Sequence, residues 1–162
     1  MVQVKVFTKG MSIDDQAKAL AQDIGALKYR TLNNMADLIA DTSPVDSGTY
    51  ARNHEVALRS GSFKSNVVRD PNAPRISRGE SVDVQGAREA GRAAMKADIN
   101  GFGLLNAAGS IRSLADPEQN NFVFRNAVAY ASYVEAEHAV YSQARREIGN
   151  AISDAVATRR NR

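Results

Sequence analysis

The side chains whose types could do acid–base or metal chemistry are two histidines, His54 and His138, each beside carboxylates. His54 precedes Glu55, and His138 follows Glu135 and Glu137. A hydrolytic zinc site needs convergent ligands, most simply two histidines one helical turn apart, and neither set has that spacing. A solvated or structurally hydrogen-bonded histidine is therefore the expected role of both. Glu135 and Glu137 would form a working carboxylate pair only if regular extension through Ala136 put them on one face of a strand; surface charge is the simpler reading. The chain has no cysteine, which removes thiolate nucleophiles, thiolate metal sites and disulfides and suits a reducing compartment. It has no Gly-x-Ser-x-Gly elbow and no dinucleotide fingerprint. Gly101-Phe102-Gly103 is too short for a phosphate loop and lacks the lysine and hydroxyl of one. These residues predict a protein that is not an enzyme and needs no metal or cofactor.

Charge is informative only once it is located. Lys and Arg number 21 against 18 Asp and Glu, and the resulting +3 equals the three arginines Arg159, Arg160 and Arg162 at the end of the chain. The body is neutral but polarised, with nine basic and five acidic residues in 52–96 and four basic and seven acidic in 97–158. Nucleic-acid binding requires several cations on one track, which interspersed charges do not supply. The basic tail 159–162 can contact DNA or an acidic partner, or can fray as a soluble terminus. No segment approaches the roughly 20 apolar residues of a membrane span, and the amino terminus lacks a signal-peptide run, so folding in a cytoplasm is expected.

Stepping outward, the elements that must hold these residues are legible at both ends. Residues 2–7 alternate apolar and polar, as a short strand would. Ser12 with Asp15 forms a capping pattern, and Asp14 and Asp15 lie where a helix dipole favours anions. Ile13, Ala17, Leu20, Ile24, Leu27, Met35 and Leu38 then recur at helical steps, predicting one amphipathic helix of about 30 residues, roughly 45 Å long. That exceeds what a small core needs, so part of it is expected to face a neighbouring subunit unless Gly25 or Asn33-Asn34 kinks it. Ser43-Pro44 stops the helix. Asp46 offers a turn acceptor, and Gly48 the conformational freedom the turn requires.

A strand with Val56 and Leu58 follows, ending at Ser60-Gly61, with "FKSNVVRD" as its expected hairpin partner. Proline, glycine and scattered charge mark 70–86 as loop-like. A helix is expected from Val84 to Ile99 despite Gly91. Phe122 and Phe124 share one strand face, Asn126 and the aromatic pair Tyr130 and Tyr133 come next, and Val140, Ala144, Ile148 and Ile152 trace a terminal helix. The expected fold is α+β: a long N-terminal helix and a C-terminal helix packed on a small antiparallel sheet within a single domain, 1–162. Residues 62–120 are expected to be a flexible insertion or assembly arm.

Two stretches carry a family resemblance. "SPVDSGTYARNHEV", after the long helix, resembles the Thr-Pro-Val-Asp-Thr-Gly-x-Leu-Arg signature of the tail-component family of tailed bacteriophages, which includes tail completion and minor tail proteins of the lambda protein Z kind and related neck proteins. Pro44, Val45, Asp46 and Gly48 match, Ser47 replaces Thr, Tyr50 takes the Leu position, and Arg52 sits one place after the usual Arg. "FRNAVAYASYVEAEH" resembles the second signature, Asn-x-x-x-Tyr-Ala-x-Tyr-Val-Glu-x-Gly. Asn126, Tyr130, Ala131, Tyr133, Val134 and Glu135 match, and Glu137 replaces the final Gly. The resemblance spans roughly 12–60 and 120–158.

The resemblance implies a structural virion protein of the head–tail junction, a tail completion, neck or connector subunit. It would form a homo-oligomeric ring, six subunits preferred and twelve possible, with other connector and tail proteins as partners and DNA only as passing cargo. Its place would be the virion, and the host cytoplasm during assembly, with no membrane contact. Pro44, Asp46 and Gly48 would shape a turn, Tyr130 and Tyr133 would pack between sheet and helix, and Glu135 would cap the last helix or pair with Arg52. The basic 52–96 and acidic 97–158 stretches, with Arg88 and Arg92, are candidate complementary ring faces. The alternative is a small nucleic-acid-binding module with a basic C-terminal tail.

Overall fold

The computed structural model describes residues 10, 12–45, 48–58, 82–102 and 122–160 of the 162-residue chain. Helix α1 runs from Ile13 to Thr42 without interruption at Gly25 or Asn33-Asn34. Its N-cap is Ser12, whose hydroxyl oxygen accepts from the Asp15 amide at 3.1 Å while the hydroxyl donates to the Asp15 carboxylate at 2.7 Å. This reciprocal cap satisfies an otherwise orphaned helix donor and is worth about 1 kcal/mol. The other end is closed as firmly. The Thr42 hydroxyl donates to Leu38 O and the Ser43 hydroxyl to Ile39 O, and Ser43 turns into extended backbone ahead of Pro44.

Beyond the turn, Gly48 adopts φ 78°, a left-handed conformation that disfavours side-chain-bearing residues, and caps a single-turn helix α2, Thr49–Arg52. Strand β1, His54–Leu58, follows directly and carries the expected Val56 and Leu58. It pairs antiparallel with β2, Phe122–Asn126, in a register that sets His54 opposite Asn126 and Leu58 opposite Phe122. Among the described residues the sheet has these two strands. The expected hairpin partner "FKSNVVRD" and the strand expected over 2–7 lie outside the described residues. At its centre the far edge of β1 is already occupied: the outward-facing Val56 amide donates to the Asp98 carboxylate of α3 at 3.1 Å.

Helix α3, Val84–Gly101, is capped by the Asp83 side chain accepting from the Gly86 amide. It lies inside the span expected to be a flexible insertion, and this part of that expectation is corrected. Met95 and Ile99 are fully buried in the main core with Ile39, Ala40, Val140 and Ala144, and side chains of that size contribute about 1.5–3 kcal/mol each by leaving water. The helix packs on α1, α2 and β1. Gly91 permits this closeness, because a Cβ there would stand 1.8 Å from Ala51 O. The rest of 62–120 is outside the described residues.

Helix α4, Ala131–His138, and helix α5, Val140–Arg160, complete the chain, joined at Ala139 with φ 49°. α5 packs against α1. The fold is thus α+β: a long N-terminal helix and a terminal helix around a two-stranded antiparallel sheet, with α3 as a further core element. The core occupies the C-terminal half of α1, where Leu32, Ala36, Ile39 and Ala40 are buried, whereas Ile13 is 85% and Leu20 62% exposed.

Candidate functional site

The helix-stopping turn and the β2–α4 corner meet around His54. Its imidazole is buried, with Nε2 2.7 Å from Ser43 Oγ and Nδ1 2.7 Å from the Tyr141 hydroxyl and 3.3 Å from Asn126 Nδ2. The tautomer follows from the partners. An amide NH₂ can only donate, so Nδ1 is bare and accepts. Ser43 has one proton, which goes to Ile39 O at 2.6 Å, so Nε2–H donates to Ser43 Oγ. Burial pushes the His54 pKa down to about 3, and protonation of Nδ1 would also oppose the donors aimed at it.

The Ser43–His54 pair has the separation of a nucleophile and its base. It does not have the accessibility: Ser43 is wholly buried and its hydroxyl proton is committed to the end of α1. What the arrangement does is lock four elements together. Asn126 Nδ2 also donates to Tyr50 O at 2.7 Å, and its Oδ1 accepts from the Val128 amide at 3.1 Å, so one side chain joins α2, β1 and the corner after β2. Beneath it, Arg125 pairs with the buried carboxylate of Glu55 directly across the ladder. Glu135 realises the capping role: its carboxylate accepts from the Tyr141 and Ser142 amides and the Ser142 hydroxyl, placing an anion at the N-terminus of α5.

Outside this buried hub lies an open cleft of about 300 Å³, walled by Pro44, Tyr50, Tyr130, Tyr133 and Val134, with Glu137 and His138 at its polar side. Tyr50 contacts His54 edge-on at 5.0 Å between ring centroids and Tyr130 at 6.5 Å. Its hydroxyl is buried without a hydrogen-bond partner among the described residues. Burial, then the charge of Glu135 and the neighbouring Tyr130, push the Tyr50 pKa up to about 12. Tyr141 is raised too, chiefly by burial and then by Tyr50, Glu135 and Glu55.

Most of the residues singled out in the sequence converge here. Pro44 lines the cleft, Val45 is half-buried beside it in sequence, Gly48 makes the left-handed turn, Arg52 ends α2, and Asn126 is the buried connector. Asp46 and Arg162 are outside the described residues, and Arg159 and Arg160 close the backbone of α5. Tyr130 and Tyr133 need correction. They do not pack between sheet and helix but are 45% and 69% exposed, because Ala131–His138 is helical and turns them outward. Glu135 and Glu137 accordingly sit on a helix, not on an extended strand, and the left-handed joint falls at Ala139, two residues past Glu137. Arg88 and Arg92 serve inside the chain: Arg88 donates to Ser43 O, and Arg92 pairs with Asp37 and Asp41 of α1. Tyr141 lies outside both stretches, and Ser43, at the head of the first, is not among its matched residues. Only the proximity of Ser43 to a helix stop, where hydroxyls commonly bond the last carbonyls, signalled a role.

Among the described residues no group of three or more His, Asp or Glu is placed to hold a metal ion, and no helix is long and apolar enough to cross a membrane. Comparison with protein-family models, curated protein sequences and solved structures finds no match.

Proposed function

We propose that this chain is a structural virion protein of the head–tail junction of a tailed bacteriophage. In this reading it is a tail completion, neck or connector subunit that closes a homo-oligomeric ring during assembly, six subunits preferred and twelve compatible, while DNA passes as cargo. One observation carries the reading. The two stretches that bear the family resemblance are joined directly by the 2.7 Å bond from Asn126 to Tyr50 O, between residues 76 positions apart, as parts of a single joint. Ser43, His54, Asn126 and Glu135 are committed to building that joint, and the aromatic residues Tyr130 and Tyr133 are left on its outer surface, where large amphipathic rings suit a protein partner. The projecting half of α1, with Ile13 and Leu20 exposed, adds a second apolar surface of the kind a neighbouring subunit covers.

The test is the native mass of the purified protein by light scattering over a concentration series. A discrete species near six or twelve times the 17.5 kDa chain is the expected result. A monomer at every concentration, unchanged on mixing with purified portal or tail-tube rings, overturns the reading.

A further inference from the structure

We infer that the Tyr130–Tyr133 cleft is the receptor for the arginine-rich carboxyl terminus of a second copy of this chain. The inference rests on the ring reading for its setting but not for its chemistry. Three tyrosine rings and Pro44 form the walls, and Glu137 stands with His138 at the polar side. Aromatic faces beside carboxylates attract a desolvated cation, and a planar guanidinium satisfies both by stacking on a ring while donating to an acid. An anionic ligand would meet Glu137. The volume, about 300 Å³, is at the lower limit of ligand pockets and suits one or two side chains.

The chain supplies a matching ligand. Its whole net charge equals Arg159, Arg160 and Arg162. These cannot reach the cleft of their own molecule. α5 begins at Val140, two residues after the cleft residue His138, and its 21 residues carry the terminus about 31 Å along the helix axis. The two residues past Arg160 extend at most about 7 Å. A tail held that far from its own cleft can enter only the cleft of another copy. Such a contact is head-to-tail, the type that closes into a ring or propagates.

The test is titration of a fluorescein-labelled peptide of residues 153–162 into full-length protein carrying Arg159→Ala, Arg160→Ala and Arg162→Ala, whose clefts no neighbouring arginine segment fills, read by anisotropy, with light scattering of the parent protein over the same concentrations. Saturable binding is expected, weakened by added salt. Tyr133→Ala should weaken it at least about fivefold, the size of one cation–π contact, and Glu137→Lys should weaken it further. Both positions are largely exposed, so circular dichroism should show both variants folded. A peptide with alanine at all three arginines should not bind. No saturable binding, or binding unchanged in both variants, overturns the inference whatever the oligomeric state. Tyr133-dependent peptide binding while the parent protein stays monomeric upholds the cleft and counts against the ring, whereas a ring that persists in Tyr133→Ala and Glu137→Lys protein overturns the cleft alone.

Discussion

Ser43 and His54 share a buried 2.7 Å hydrogen bond in which the imidazole is the donor. The direction is fixed at both ends, by Ile39 O taking the serine proton and by Asn126 donating to the opposite ring nitrogen. A neutral histidine is thus required by the fold.

Acid should therefore loosen the protein well above the carboxylate range. The folded pKa of His54, about 3, lies below its unfolded value of 6.5, so the contribution is complete above pH 6.5 and is lost as pH falls from there toward 3. The loss is about 1.4 kcal/mol per pH unit, or about 2 kcal/mol between pH 6.5 and 5. Urea unfolding at a series of pH values should show this slope in the parent and lack it in His54→Gln. Equal slopes in the two proteins would rule out His54 as the source.

Asn126→Ala should be among the most damaging polar truncations. It strands the Tyr50 carbonyl and the Val128 amide in a buried site, and each unsatisfied group costs about 1–3 kcal/mol. A loss of about 3 kcal/mol in the midpoint analysis of urea melts is expected; a loss under about 0.5 kcal/mol would mean that water replaces the side chain.

Gly91→Ala should destabilise despite alanine's higher helix propensity. A Cβ 1.8 Å from Ala51 O forces α3 away from α2, and overpacking of this kind costs about 1–3 kcal/mol. A rise in Tm, the outcome that propensity alone gives, would contradict the close approach.

The α4–α5 joint yields a pair with opposite signs. Ala139 holds a left-handed conformation that glycine adopts without strain, so Ala139→Gly should stabilise by about 1 kcal/mol. Glu135→Ala should cost about 1–2 kcal/mol by removing the anion from the N-terminus of α5. Thermal melts of the two variants check both signs; the same direction for each would sink the account of the joint.

The first helix was legible in the sequence because every local signal agreed: cap at Ser12, apolar periodicity, stop at Ser43-Pro44. The turn glycine at 48 was legible for the same reason. The outward-facing tyrosines were not. "AYASYVEAEH" mixes strand formers with helix formers, and only the packing of its neighbours decides for helix and turns Tyr133 into solvent. Gly91 reads as a flaw in a helix until the Ala51 carbonyl beside it is known. The pairing of β1 with β2 was not legible because the two strands are far apart in sequence and no local signal connects them. His54 was read as solvated or structurally hydrogen-bonded, and it is the second, but its partners Ser43, Asn126 and Tyr141 lie on separate elements and no spacing rule connects them.

The register of β1 against β2 has a consequence for the protein during its own synthesis. His54 and Asn126 are 72 positions apart, so a ribosome adding about 5–20 residues per second exposes the half-built β1 edge and its histidine for several seconds before the matching strand exists. α3 emerges in that interval carrying Asp98 for Val56 and Met95 and Ile99 for α1. It can hold the nascent chain as a chaperoning element made from the molecule itself, leaving the Asn126 connection to close last.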